Sequence, residues 1–214
     1  MKGRGLYASF LLFFLLLVLL VGATTVLAQS TVELAYDDGV ASGSTSLSTG
    51  EFMAVRFSLP SGWSEGRLLT ARIDVLSGAG TSFKVHVLDS DGSTPLITPV
   101  EVTPPATGWL DVDLSAFNLV VTDDFYIAVE FEEDHNPWIG YDKTSPIDGR
   151  SYHGQPSSWI LYDDRDLMIR AVVQELVPVG GVVLPVYELR ILAFCIATLA
   201  MAVPLIVTLK KRIP

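Results

Sequence analysis

The chain has 214 residues, with 24 Asp and Glu against 14 Lys and Arg and a formal net charge of −10. That excess of negative charge repels a phosphate backbone and argues against nucleic acid as a partner. A single cysteine, Cys195, is present, which excludes a disulfide framework.

In chain order, Met1-Lys2-Gly3-Arg4-Gly5 supplies two positive charges and a largely apolar run follows from Leu6 to Val21. About 16 residues match the hydrophobic stretch of an export signal and fall short of the ~20 that a spanning helix needs. Val26-Leu27-Ala28 puts small or modest side chains where a signal peptidase reads them. Residues 1–28 are therefore expected to be a signal peptide, cut after Ala28, with an uncleaved signal anchor as the alternative.

Residues 29–175 show no helical periodicity. Short runs rich in Val, Ile, Phe, Tyr and Trp are split by Gly, Pro, Asp and Ser, the pattern of strands and turns. Strands are expected at Val32–Tyr36, Phe52–Ser58, Leu68–Leu76, Phe83–Asp89, Val100–Thr103, Trp109–Leu114, Phe125–Phe131, Trp138–Tyr141, Ser158–Tyr162 and Met168–Gln174. Several alternate: Leu69, Ala71, Ile73 and Val75 against Thr70, Arg72 and Asp74; Phe83, Val85 and Val87 against Lys84 and His86; and the stripe Phe125, Ile127, Val129, Phe131. Alternation buries one face of each strand, and two such sheets bury those faces against each other. The expected fold is all-β, a jelly-roll-like β-sandwich.

Residues 176–190 read as a short linker. From Ile191 to Leu209 no charge occurs, and Lys210-Lys211-Arg212 follow at once. Such a run spans roughly 28 Å as a helix, about the hydrocarbon thickness. Basic residues favour the cytoplasmic side, so 191–209 is expected to be a single transmembrane helix and 210–214 a cytoplasmic basic tail. The bulk of the chain then lies outside the cell, at the membrane.

Catalytic signatures are missing from the outer domain. His86, His135 and His153 fit no metal spacing, and neither a nucleophile elbow nor a cysteine nucleophile stands there, so no enzyme is expected. Acidic residues gather at two strand ends, Asp37-Asp38 after the first strand and Asp163-Asp164-Arg165-Asp166 before the last. If those strands are antiparallel neighbours, Asp37, Asp38, Asp163, Asp164 and Asp166 converge. Converging carboxylates require an offsetting cation or basic residue, and hard oxygen ligands select Ca2+. A structural calcium site is one reading; solvated turns, with Arg165 pairing one aspartate, is the other. Asp89-Ser90-Asp91-Gly92 opens like a calcium loop, but Val100 stands where such a loop needs glutamate, so a hairpin turn is expected. Trp138, Tyr141, Tyr152 and Trp159 lie among polar loops, the combination that stacks on sugar faces and bonds their hydroxyls; Trp63 and Trp109 are further candidates.

Six segments carry a resemblance: Glu33-Leu34-Ala35-Tyr36-Asp37-Asp38-Gly39, Ala54-Val55-Arg56-Phe57, Lys84-Val85-His86-Val87, Gly108-Trp109-Leu110-Asp111-Val112-Asp113-Leu114-Ser115, Ile139-Gly140-Tyr141-Asp142 and Leu167-Met168-Ile169-Arg170-Ala171-Val172-Val173. Together they resemble an accessory jelly-roll-like β-sandwich domain of secreted or surface prokaryotic proteins. The resemblance implies a surface, adhesive or carbohydrate-binding-like role and no defined catalysis. Pro178-Val179-Gly180-Gly181 with the apolar run and basic cluster resembles an archaeal-type C-terminal membrane anchor. Leu184-Pro185-Val186-Tyr187-Glu188 lacks the Thr-Gly of a sortase site, and no Pro-Gly-Phe triplet precedes the run.

The resulting expectation is a membrane-anchored surface binding or adhesion module whose partner is a surface glycan or a neighbouring envelope protein. A structural envelope component is the alternative, and a glycan hydrolase stands behind both.

Overall fold

The computed structural model describes residues 29–176. The expected signal peptide, the linker from 177 onward, the apolar run 191–209 and the basic tail lie outside the described residues. Among the described residues no helix is long and apolar enough to cross a membrane.

Fourteen strands are formed: β1 (Thr31–Leu34), β2 (Gly43–Thr45), β3 (Phe52–Phe57), β4 (Gly66–Ser77), β5 (Phe83–Leu88), β6 (Val100–Val102), β7 (Gly108–Asp113), β8 (Val120–Val121), β9 (Phe125–Phe131), β10 (Trp138–Asp142), β11 (Ser151–Gln155), β12 (Ser158–Leu161), β13 (Asp166–Leu167) and β14 (Ile169–Glu175). They make two sheets. The first runs β1-β14-β4-β10-β13, with β2 beside β10 and with β7 and β8 beside β4. The second runs β12-β11-β3-β9-β5-β6. The fold is an all-β sandwich.

The core follows from alternation. Met53, Val55 and Phe57 on β3, Phe83, Val85 and Val87 on β5, and Phe125, Ile127, Val129 and Phe131 on β9 point inward from the second sheet. Ala71, Ile73, Val75, Ile139, Ile169, Ala171 and Val173 meet them from the first. Each fully buried large side chain contributes roughly 1.5–3 kcal/mol, and Phe57 and Phe125 add a stacked contact with ring centroids 5.5 Å apart. The long strand β4 is the spine of the first sheet. Its residues pair with β14 and β10 along one edge and with β7 and β8 along the other, so Ile73 sits between Ile169 and Leu110.

Four short strands, β2, β8, β11 and β13, do not show in the sequence pattern. β11 reads Ser-Tyr-His-Gly-Gln. It is a strand because β3 and β12 pair on its two sides, not because of its own alternation. The expected strand at Ser158–Tyr162 is present as β12, and the stretch around Tyr152, where no strand was expected, pairs with it as the other arm of a hairpin whose turn falls at Pro156 and Ser157.

β1 and β14 are antiparallel neighbours, Thr31 opposite Gln174 and Leu34 opposite Ala171. The Glu175 amide donates to the Ser30 carbonyl at 2.7 Å. The described chain therefore enters and leaves at one end of the sandwich. At the other end of this strand pair, Asp37 is brought beside Arg170.

Candidate functional site

The outward face of the first sheet is a closed polar ladder. Arg72 and Arg170 stand directly opposite each other on β4 and β14, an arrangement that repels unless something intervenes. Glu33 on β1 intervenes: it accepts from Arg72 Nη1 at 2.5 Å and from Arg170 Nη1 at 2.6 Å. Arg72 also donates to Asp111 at 2.6 Å, and Arg170 binds both carboxylate oxygens of Asp37, through Nε at 3.0 Å and through Nη2. The Asp37 side chain has no solvent exposure. Trp109 lies beneath both cations, its ring centroid 4.4 Å from the Arg170 guanidinium and 5.7 Å from that of Arg72. Burial works to raise the Glu33 carboxyl, but the bonds from Arg170 and Arg72 outweigh it and hold the group low.

Next to this ladder the aspartates crowd. Asp142 on β10 faces Asp166 on β13 across the strand pair, and both are buried. Asp142 accepts from the Thr144 amide at 2.7 Å, the Asp38 amide at 3.1 Å and Ser42 Oγ at 3.3 Å. Those bonds overcome burial and hold its carboxyl low. Asp166 receives only the Asp148 amide, at 3.2 and 3.3 Å. Burial pushes its carboxyl up to about 6, and the negative charges of Asp148, Asp142 and Asp37 add to the rise. Asp74 on β4 is buried too and raised by that burial, with Asp37 adding and Arg170 opposing. Gly140 makes room for it: a Cβ there would lie 2.7 Å from Asp74 Oδ2.

The five aspartates expected to converge are thus divided. The strand pairing that was to unite them is present, but Arg170 neutralises Asp37, and Asp38 turns its Oδ1 to the Val40 amide at 2.8 Å. Asp164 is exposed and held by Lys143 at 2.8 Å and by Arg165 at 2.7 Å, while Asp163 is exposed. Asp37 and Asp166 are the two of the five with covered side chains, and of these only Asp166 has no basic side chain bonded to it among the described residues. Among the described residues no group of three or more His, Cys, Asp or Glu side chains is set to hold a metal ion. Asp91 folds its own turn, accepting from the Ser93 and Thr94 amides at 2.8 Å each.

The second sheet turns an aromatic face outward. Phe52 and Ala54 on β3, Tyr126 and Ala128 on β9 and Leu88 on β5 form a buried cluster separate from the main core, with Tyr152 and Trp159 packed on it. The pairing Tyr152–Ala54–Ala128–His86 runs across four strands. The two alanines leave a depression that the neighbouring rings fill. The Trp159 and Tyr126 rings lie parallel, 5° apart in orientation and 6.3 Å between centroids. Phe52 meets Trp159 edge-on at 6.4 Å, and Tyr152 lies 5.8 Å from Tyr126. Trp159 Nε1 donates to the Gly92 carbonyl at 2.7 Å. Gly92 has φ 69°, and a Cβ there would lie 2.8 Å from that nitrogen, so only glycine lets the 89–94 turn close on the indole. Polar groups border the rings: His86 Nε2 stands 2.8 Å from Glu130 Oε2 on one side, and Arg56 faces Tyr126 directly across β3 and β9.

The four aromatics singled out from sequence do not form one platform. Tyr152 and Trp159 share the outward face of the second sheet. Trp138 and Tyr141 are on β10 of the first. Trp138 is 40% exposed. Tyr141 packs on the main core beneath Arg165, 4.5 Å from its ring, and Lys143, 5.5 Å away. Trp63 also packs on the core, and Trp109 is covered by the two arginines. Sequence reasoning missed Phe52, Tyr126 and Arg56. The signal was present in Phe52-Met53-Ala54-Val55, apolar on both faces of one strand, which requires cover on the outside as well.

No family model matches the chain. Bacillopeptidase F of Bacillus subtilis (strain 168) is 31% identical over 157 residues, covering 66% of this chain and 11% of that protein. The chain therefore spans about a ninth of the length of that relative. A solved structure of the clostridial cysteine protease Cwp84 after propeptide cleavage superimposes with a TM-score of 0.51 at 14% identity, over 68% of this chain and 40% of that one. A second structure, of the cysteine protease and lectin-like domains of Cwp84, a surface layer associated protein of Clostridium difficile, gives 0.48 at 14% identity over 68% and 36%. At that identity the first likeness shows the sandwich fold.

Proposed function

We propose that this chain is a membrane-anchored cell-surface binding module, with the outward face of the second sheet as its carbohydrate-binding surface. The observation that carries the reading is the pair Tyr152 and Trp159, half-buried on the outside of the second sheet over the buried Phe52 and Tyr126 rings, with His86, Glu130 and Arg56 at its border. Rings of this kind stack on the apolar faces of sugars while neighbouring polar groups bond hydroxyls. The apolar run at 191–209 and its basic end support a single-pass anchor. Entry and exit at one end of the sandwich leave the rest of its surface available to partners. A likeness that reaches only 11% of a larger protein suits a module carried by different proteins. The test is a glycan array probed with the detergent-solubilised full chain. Retention of one glycan class, lost in Trp159→Ala with the far-ultraviolet circular dichroism of the sandwich unchanged, supports the reading; retention of none, or binding that Trp159→Ala leaves intact, overturns it.

A structural envelope role is favoured by one observation. Edge strand β12 exposes Ile160 at 58% and Leu161 at 45% beside an unpaired edge, a surface that pairs readily with another chain. Concentration-dependent sedimentation abolished by Ile160→Lys would establish it.

Of the five aspartates expected to hold a structural calcium, Asp37, Asp38, Asp163, Asp164 and Asp166, this reading keeps only Asp166, with Asp142 across the strand pair as a ligand not singled out from the sequence. Calcium suits two carboxylates completed by backbone and water oxygens. A melting point at pH 7.5 that rises with calcium and falls with chelator, in wild type but not in Asp166→Asn, is the expected result. Identical melts leave the pair to a proton.

A further inference from the structure

The border of the aromatic patch points to the charge of its ligand. Arg72, Arg165 and Arg170 each bond a carboxylate at 3.0 Å or less. Arg56 is different. Its Nε, like that of Arg67 on β4 of the other sheet, is buried with no hydrogen-bond partner among the described residues, and of the two it is Arg56 that borders the rings. The one carboxylate within 4 Å of it among those residues is that of Asp124, at 3.7 Å, whose Oδ1 already accepts from Ser58 Oγ at 2.6 Å. The side chain nonetheless keeps 36% of its surface in solvent. Its positive charge opposes the burial that raises the Tyr126 phenol, the residue directly across β3 and β9 from it. Arg150 stands alongside: the Arg56 amide donates to its carbonyl at 2.9 Å, and its Nη1 donates to Ser58 Oγ at 2.8 Å. The Arg150 guanidinium lies 4.8 Å over the Tyr36 ring.

In a chain with ten more acidic than basic residues, this arginine at the edge of the ring patch has no carboxylate within hydrogen-bond distance of its Nε, Asp124 standing 3.7 Å away. Guanidinium presents a planar fork that a carboxylate fits with two parallel bonds. The remaining acids of the surface are screened beyond about 8–10 Å at physiological salt, so local charge decides what docks here. We infer that the patch takes an acidic sugar, with the pyranose face on Trp159 and Tyr152 and the carboxylate on Arg56. The inference rests on the carbohydrate reading above and adds the ligand's charge and the residue that selects it.

The experiment is a pair of titrations of the full chain in detergent, one with an oligogalacturonate and one with the same oligomer after its carboxyls are reduced to primary alcohols. Wild type is expected to bind the acidic oligomer at least about tenfold more tightly, the scale of one charge-assisted contact. Arg56→Gln is expected to bind both oligomers equally, at the affinity wild type shows for the reduced one. Arg56→Lys, which keeps the charge and loses the fork, should retain part of the preference. Trp159→Ala should lose both ligands. Equal binding by wild type, or a preference that survives in Arg56→Gln, overturns the inference and leaves the patch a neutral-sugar site. Binding of neither oligomer by wild type overturns the carbohydrate reading and this inference with it.

Discussion

The two outward faces of the sandwich solve opposite problems with the same backbone. On the first sheet, charge is matched internally. Asp111, Arg72, Glu33, Arg170 and Asp37 form a chain of pairs over Trp109, and every cation in it is bonded. On the second sheet the rings cluster among themselves, and Arg56 at their edge has only the longer pairing to Asp124, at 3.7 Å. A face whose groups satisfy one another has little left to offer a partner. A face with partly exposed rings and a loosely paired arginine has both kinds of contact to give. The inner faces, built from similar aliphatic and aromatic residues, show none of this difference.

The comparison can be broken most severely at Arg170. Removing it leaves the fully covered Asp37 carboxylate unpaired, a loss of the kind that costs about 3–5 kcal/mol. Urea unfolding of Arg170→Ala should show it, with the ligand face unaffected if the mutant folds. Asp166 gives the next effect. Its carboxyl is raised to about 6 from an ordinary value of 3.8, so the folded state holds that proton more tightly than the unfolded chain. The stability it contributes is full below about pH 4 and lost as pH rises through about 6, up to about 3 kcal/mol. In chelator, melts of Asp166→Asn should gain on wild type steadily between those pH values. Glu33 and Asp142, held low, act in the opposite direction and lose their contribution as pH falls. Trp159→Phe should cost about 1 kcal/mol through the bond to Gly92 while keeping ring surface. Arg72→Ala should be of similar size or smaller, because it is about a third exposed and Glu33 keeps Arg170.

Much of the architecture was legible because alternation is a local property. The stripes Phe125, Ile127, Val129, Phe131 on β9 and Phe83, Val85, Val87 on β5 give the inner faces directly; on β4 Ala71, Ile73 and Val75 do so, but the core residue before them is Leu68 and not the expected Leu69, because the register against β14 shifts there. The proximity of the first and last strands was also within reach, and it placed Asp37 correctly beside the start of β14. What escaped was the partner. Arg170 lies 133 residues from Asp37, and only the register of β1 on β14 shows that it, not a cluster of aspartates, sits there. β11 escaped because its residues carry no pattern; its neighbours make it a strand. The aromatic patch was half visible. Tyr152 and Trp159 were picked from their polar surroundings, whereas Trp138 and Tyr141 have similar surroundings and lie on the other sheet. Sequence proximity to polar loops does not say which sheet a ring belongs to; the two-faced apolar pattern at Phe52–Val55 does.

The four tryptophans, at positions 63, 109, 138 and 159, provide the most direct test, since each indole N–H gives its own signal in a nitrogen-15 correlation spectrum of the full chain in micelles. With Trp159 assigned from its Phe variant, titration with the oligogalacturonate should shift the Trp159 signal and leave those of Trp109 and Trp138 in place. A shift at Trp109 or Trp138 with Trp159 unmoved would put the ligand on the first sheet and contradict the division of labour between the two faces.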